Sequence, residues 1–246
     1  MKSFIVPSIK YAHWDSENFN VKVGFVQIPS STFLSIEALT FLKEKAKEED
    51  YKVIYIMLLD NGTIQVPSNL IDFTLLHVDR KVEYTKPVFC DRRVIISQIE
   101  SYKDLYPSSE LYSLAIESGK YSRFKLDLNF PPDVFETMYR IWIERSVRKE
   151  IADDVLIYKE KGNIMGMLTY KKNIYNATIG LIAVSPICQH AGVGSKLIHY
   201  LETCLLKDGI KTLNVATQGN NIQARQFYER NNFSVKEITN IYHLWI

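Results

Sequence analysis

The sequence has little of what commits a chain to a metal, a disulfide framework, a membrane or a polyanion. Its three cysteines, Cys90, Cys188 and Cys204, are odd in number and lack metal-ligand spacing. They read as reduced thiols of a cytosolic protein, and nothing around Cys188 marks it as a nucleophile. Charge of one sign is also missing. Lys and Arg total 30 against 28 Asp and Glu, for a net charge of +2. That balance encodes no pull toward nucleic acid or an anionic lipid surface. No apolar run approaches the ~20 residues that span a bilayer, and Met1 to Pro7 has no signal-peptide apolar stretch. A cytoplasmic protein with no metal, membrane or nucleic-acid partner is expected.

The 246 residues are 46% hydrophobic and 24% charged, an ordinary globular composition. The length allows one large domain or two small ones. The chain is organised around residues 179–210. Ile179 to Val184 is a β-branched run of strand length, and Pro186 ends it. Then follow Gln189-His190-Ala191-Gly192-Val193-Gly194 and a helical pattern of Leu197, Ile198, Leu201 and Leu205, closed by Gly209. A strand, a two-glycine loop and a helix N-terminus suit a diphosphate, because the first helical amides are unpaired and carry the positive end of the dipole. The other reading is a tight turn that binds nothing. A Walker A loop is excluded by the order Gly194-Ser195-Lys196. A dinucleotide fingerprint is excluded by Leu197, where its third glycine belongs.

The pattern that fits is [QR]-x-x-G-x-[GA], as Gln189, Gly192 and Gly194. With it the chain resembles the GNAT N-acetyltransferases. A second segment strengthens the resemblance. After a strand-like run from Thr212 to Ala216, residues 217–233 match N-x-x-A-x-x-[FL]-Y-x-x-x-[GN]-F through Asn221, Ala224, Phe227, Tyr228 and Phe233. Asn221, Ala224 and Tyr228 fall at helical spacing on one face. Further runs, Gly119 to Asp127, Met138 to Val147, Ala152 to Leu156 and Val215 to Asn221, resemble one branch of the family. That branch contains dTDP-fucosamine acetyltransferase and relatives acting on nucleotide-linked amino sugars. The match is close from Gly119 to Phe233 and loose over the first hundred residues, which in this branch form a separate small domain. His190-Ala191 and Asn232 depart from the usual residues.

The implied fold is α/β (α+β): a mixed, mostly antiparallel sheet flanked by helices over 106–246, with a smaller α/β domain over 1–105. In the first part, Val21 to Ile28 and Val53 to Leu59 read as strands, with a helix reaching Glu49 between them. Phe73 to Val78 and Val82 to Thr85 read as two strands joined through Asp79-Arg80-Lys81. Trp14 and Phe19 read as core or interface aromatics. Ser108 and Ser109 can cap a helix ending before Gly119, and Asp133 with Glu136 a helix bearing the stripe Phe135, Met138, Tyr139, Trp142, Ile143 and Ser146. A meander follows through Asp153 to Tyr158 and Ile164 to Tyr170, and Ile238 to Ile246 is the last strand.

The resemblance implies acetyl-CoA as cosubstrate, held by Ile182, Ala183, Val184, Gln189, His190, Ala191, Gly192, Val193, Gly194, Ser195, Asn221 and Ala224. It implies direct transfer in a ternary complex, with a backbone N–H at a bulge in the region Leu181 to Val184 facing the oxyanion. Tyr228 is the implied general acid for the departing thiolate; its other reading is a packed aromatic. Tyr121, Ser122, Arg123 and Phe124 suit a nucleotide sugar, Arg123 by forking onto phosphate and Phe124 by stacking. Arg123 paired with an acid such as Asp127 is the alternative. Asp153, Asp154 and His243 are open candidates for the base. Another small-molecule or protein amine is the competing acceptor, and a homodimer is conceivable.

Overall fold

The computed structural model describes residues 8–29, 35–59, 74–89 and 97–246. They form two compact units. One comprises the described residues of Met1–Val82 with Gln218–Asn220 and Glu237–Ile246; the other comprises those of Glu83–Thr217 and Asn221–Lys236. The first division falls after Val82, upstream of the residue 105 expected from the sequence. The cause is a single long strand that begins in one unit and ends in the other.

In the first unit the order is β1 (Lys10–Tyr11), α1 (His13–Phe19), β2 (Val23–Ile28), α2 (Ile36–Glu48) and β3 (Val53–Leu59), joined by the start of β4 (Thr74–Pro87) and the end of β10 (Ser234–Trp245). β1 is antiparallel to β2, β2 parallel to β3, and β3 antiparallel to β10 with Val53 opposite Trp245. The β3 run V-I-Y-I-M-L-L has no polar residue and is covered on both faces, as such runs are. Ser35 caps α2 by accepting the Ala38 N–H, and Leu39, Leu42 and Ala46 of that helix pack on Val26, Ile54, Ile56 and Leu244. Trp14 and Phe19 lie half-buried on α1, a helix the sequence did not suggest.

The end of β4 opens the second unit, followed by β5 (Ile99–Ser101), α3 (Ser109–Ser118), α4 (Arg123–Leu126), α5 (Val134–Val147), β6 (Asp154–Glu160), β7 (Asn163–Lys172), β8 (Asn176–Val184), α6 (Val193–Lys207), β9 (Thr212–Gln218) and α7 (Ile222–Arg230). β5 to β8 pair antiparallel in chain order, and β8 pairs parallel with β9. This is the mixed, mostly antiparallel sheet flanked by helices that was expected. Lys161 (φ 50°) and Gly162 (φ 86°) make the left-handed two-residue turn between β6 and β7.

Two expectations need correction. Phe73–Val78 and Val82–Thr85 are not separate strands. β4 runs through Asp79–Lys81, and Phe73 lies outside the described residues. Val78, Val82, Tyr84 and Lys86 are all buried, so the same face is inward on both sides of the polar stretch, with Arg80 exposed between them. Asp133 does stand at the N-cap of α5, but its backbone is already helical (φ −85°, ψ −14°) and its side chain makes no cap hydrogen bond. The Pro131 carbonyl accepts the Val134 N–H, so a turn leads into the helix and replaces the capping box.

Candidate active site

The site begins where the β8–β9 ladder stops. That ladder runs from Asn176 opposite Thr212 to Ile179 opposite Val215, and β8 continues to Val184. Just past the last pair, β8 bulges. Leu168 faces Ile182 and Tyr170 faces Ile179, so Gly180 and Leu181 together oppose Thr169. The Thr169 hydroxyl accepts the Leu181 N–H at 2.8 Å. That amide is therefore spent within the sheet, which removes it from the expected oxyanion donors.

Beyond β8, a one-turn 3₁₀ helix (Pro186–Cys188) leads into the glycine loop. His190 and Gly192 both take left-handed backbone, φ 64° and 75°. Gly192 is the N-cap of α6, and no side chain caps that helix. The amides of Val193, Gly194 and Ser195 precede the first intrahelical bond, Lys196 N–H to the Gly192 carbonyl at 3.0 Å. A Cβ on Gly192 would meet nothing within 4 Å, so the space before those amides is open. Gly194 has another role. A Cβ there would sit 2.9 Å from Phe227 Cζ, so its absence lets α6 close onto α7. Gln189 shapes the loop: its Nε2 donates to the Val184 carbonyl at 3.2 Å, tying loop to strand.

The opposite wall is α7. Asn221 caps it, its Oδ1 accepting the Ala224 N–H at 3.1 Å. Tyr228, two turns on, is 3% exposed, and its ring is held by Phe227, Phe233 and Tyr84 at centroid distances of 5.3, 5.6 and 5.6 Å. Strand, loop and helices enclose a cavity of about 400 Å³. Of the residues expected to hold acetyl-CoA, all except the exposed Ala191 line it: Ile182, Ala183, Val184, Gln189, His190, Gly192, Val193, Gly194, Ser195, Asn221 and Ala224, with Tyr228. Open amides at a helix N-terminus, faced by empty space, fit a diphosphate.

Residues 123–233 match the model of the acetyltransferase (GNAT) family. This segment is similar to that family. Among curated proteins, none matches the sequence. Solved structures share the fold at low identity. A conserved protein of unknown function from Staphylococcus epidermidis is 12% identical, covering 91% of this chain and 83% of its own, with a TM-score of 0.54. A tandem GNAT protein from the clavulanic acid biosynthesis pathway is 12% identical over 84% of this chain and 68% of its own, TM-score 0.51. A GCN5-related N-acetyltransferase from Kribbella flavida is 12% identical over 91% and 80%, TM-score 0.50. The fold is GNAT, and the protein is an N-acetyltransferase whose acetyl donor is acetyl-CoA.

Within the GNAT segment, burial raises the pKa of Tyr228 above its ordinary value, and the neighbouring Tyr84 hydroxyl adds to the shift. Tyr84 itself donates to Glu229 Oε1 at 3.1 Å, and burial raises its pKa too. Below them lies a buried ion pair: Lys86 Nζ is 2.6 Å from Glu202 Oε1, with the two side chains 7% and 2% exposed, and it also donates to the Asn231 carbonyl.

Other candidates lie elsewhere. Tyr121, Ser122, Arg123 and Phe124 do not line the cavity. Ser122 is buried and caps α4 by accepting the Phe124 N–H, and the Arg123 guanidinium lies over the Phe124 ring at 4.7 Å. The three base candidates are structural. Asp153 accepts the Lys172 N–H at 2.6 Å, Asp154 accepts from the Ser101 hydroxyl, and His243 is fully buried, stacked on Tyr55 at 4.5 Å in the first unit. The sequence reading missed Glu117 and Lys120, which line the cavity from the end of α3. No motif contains Glu117; its one signal was a position just ahead of Gly119, where the close family resemblance starts.

Proposed function

We propose that the GNAT cavity acetylates the primary amine of a nucleotide-linked amino sugar, of the dTDP-4-amino-4,6-dideoxy-hexose class, in a ternary complex with Tyr228 as general acid. The observation that carries the chemistry is Tyr228: a buried hydroxyl on the wall of the same cavity as the uncapped α6 N-terminus. The α6 amides would hold the donor diphosphate, and Ile182 to Val184 offer backbone N–H groups toward the acetyl carbonyl. The amine lone pair attacks that carbonyl, the C–N bond forms, the C–S bond breaks, and the sulfur leaves with a proton.

Tyr228 supplies that proton. In water a tyrosine of pKa ~10 gives a proton to a thiolate of pKa ~8.5 only uphill. Burial raises the Tyr228 value further, yet the thiolate departs into the same poorly solvated space, where it too is a stronger base than in water. The comparison inside the cavity is thus closer than either solution value suggests.

Support for the sugar nucleotide comes from the sequence resemblance over Gly119 to Asp127 and from the Arg123–Phe124 pair, a cation over a ring that can meet a phosphate and a base together. A thiol-release assay with acetyl-CoA against dTDP- and UDP-amino sugars tests the reading. Release should be fastest with a dTDP-4-amino sugar, and Arg123→Ala should raise its KM several-fold with that of acetyl-CoA unchanged. Equal or faster release with simple amines, and no effect of Arg123→Ala, would give the acceptor to another class.

A further inference from the structure

Among the described residues, one acidic side chain lines the cavity. Glu117 stands in the last turn of α3, one residue before Ser118 ends that helix. Its Oε1 is 2.8 Å from Lys120 Nζ, and the two side chains are 28% and 36% exposed. The basic side chains on the wall are Lys120, His190 from the glycine loop and Arg230 from α7. These suit the phosphates of a donor or acceptor. Glu117 suits the opposite charge.

The position is fixed by packing. A Cβ on Gly119 would lie 2.2 Å from the Tyr139 ring, so only glycine lets the end of α3 seat against α5. Leu111, Leu114 and Ala115 bury the face of α3 that packs on α5, β7 and β8. Glu117 therefore stands on the cavity rim on a rigid element. The negative end of the α3 dipole lies beside it and adds to its attraction for a cation. From α5, the Tyr139 ring packs against Gly119, two residues on. β7 and β8 contribute no titratable side chain to the cavity wall.

We infer that Glu117 is the residue that receives the acceptor amine and takes its proton, with Lys120 marking the place of the incoming ammonium. The inference rests on the acetyltransferase reading above. A primary amine reaches the cavity at neutral pH as an ammonium. It displaces Lys120 Nζ from the carboxylate, and Lys120 can swing toward the Tyr121 ring, already 5.8 Å away. One N–H proton passes to Glu117, freeing the lone pair. The C–N bond forms and the C–S bond breaks. The nitrogen sheds its second proton as the amide forms, which balances the proton that Tyr228 gives to sulfur. Glu117 then returns its proton to solvent, so each acetyl transferred releases one net proton. The sequence left the base unidentified, with Asp153, Asp154 and His243 as open candidates; none of them lines the cavity, and Glu117 does.

The test uses Glu117→Gln, which keeps shape and folding but cannot take a proton. It is assayed by thiol release with acetyl-CoA and whichever amine of the panel wild type acetylates fastest. At pH 7 its kcat/KM for the amine should fall about a hundredfold or more, in the range of lost general-base catalysis. The deficit should shrink to within about tenfold as pH approaches the amine's own pKa, where the nucleophile arrives neutral. Acetyl-CoA affinity by calorimetry and the thermal midpoint should match wild type, and Glu117→Asp should recover part of the rate. Wild-type turnover with Glu117→Gln within a fewfold of it at pH 7 would overturn the assignment of Glu117 alone. So would a deficit constant with pH or matched by lost acetyl-CoA binding. Wild type that acetylates no amine would overturn the acetyltransferase reading itself, and this inference with it.

Discussion

Tyr228→Phe keeps the ring among Phe227, Phe233 and Tyr84 and removes one hydroxyl. If that hydroxyl protonates the thiolate, turnover should fall by at least about a hundredfold, within the usual range for general acid help. Calorimetric affinity for acetyl-CoA should stay nearly unchanged. Turnover within a fewfold of wild type would return Tyr228 to a packing role. At Gly192 a different variant isolates the loop. Asp tolerates left-handed backbone better than most residues and its Cβ would meet nothing within 4 Å, so Gly192→Asp should fold. Its carboxylate would face the α6 amides and exclude a diphosphate, and acetyl-CoA binding should be lost by calorimetry with the thermal midpoint little changed. Gly194→Asp is a poorer probe, since its Cβ would collide with Phe227. Gly192, Gly194, Asn221 and Tyr228 were legible because local spacing carries them: two glycines before a helix, and three positions on one helical face. Glu117 was not, because a glutamate before a helix end is ordinary in sequence. Only the packing of α3 brings it to the same cavity as residues far along the chain.

Lys86 of β4 and Glu202 of α6 are joined by an ion pair with almost no solvent access. A pair buried this far costs desolvation and adds little net stability while intact, but removing one partner strands the other charge. Lys86→Met should destabilise by about 3–5 kcal/mol in urea unfolding, whereas the double variant Lys86→Met, Glu202→Leu should recover most of the loss. Additive losses would show that the two charges do not depend on each other. The sequence could not announce this pair. Glu202 follows Leu201 inside an apolar pattern, and Lys86 sits at the end of a strand, each an ordinary surface residue until the elements pack. The same limit explains β4. Asp79-Arg80-Lys81 looks like a turn by composition, while the burial of Val78, Val82 and Tyr84 keeps one strand going through it. Where local signals were complete, the elements came out at their limits. β3 runs from Val53 to Leu59 as its apolar stretch does, and α3 is capped by Ser108 and ends before Gly119.

Across the molecule, tyrosine is a buried weak acid at many positions. Burial is the largest cause raising Tyr51, Tyr84, Tyr112, Tyr170, Tyr228 and Tyr242. Unfolded tyrosines release their protons near pH ~10. Above that pH the unfolded chain has lost protons the native chain keeps, so stability falls as pH rises. The contribution is fully present below pH ~10 and is lost as pH climbs through the raised native values. Thermal midpoints should be flat up to about pH 9 and then drop steeply, and Tyr170→Phe should soften the drop; an unchanged midpoint at pH 11 would rule the effect out. The order of strands and helices over 106–246 was legible at this scale because each unit is local. The division into units was not, since the chain leaves one for the other after Val82, Thr217, Asn220 and Lys236. That threading has a consequence for synthesis. The cavity wall reaches to Asn231, and Tyr228 leans on Tyr84. While the ribosome is still adding residues before α7, the nascent chain can carry the glycine loop but no finished cavity. Neither unit can close until α7 and β10 have been made, so a chain stopped before them is also an inactive one.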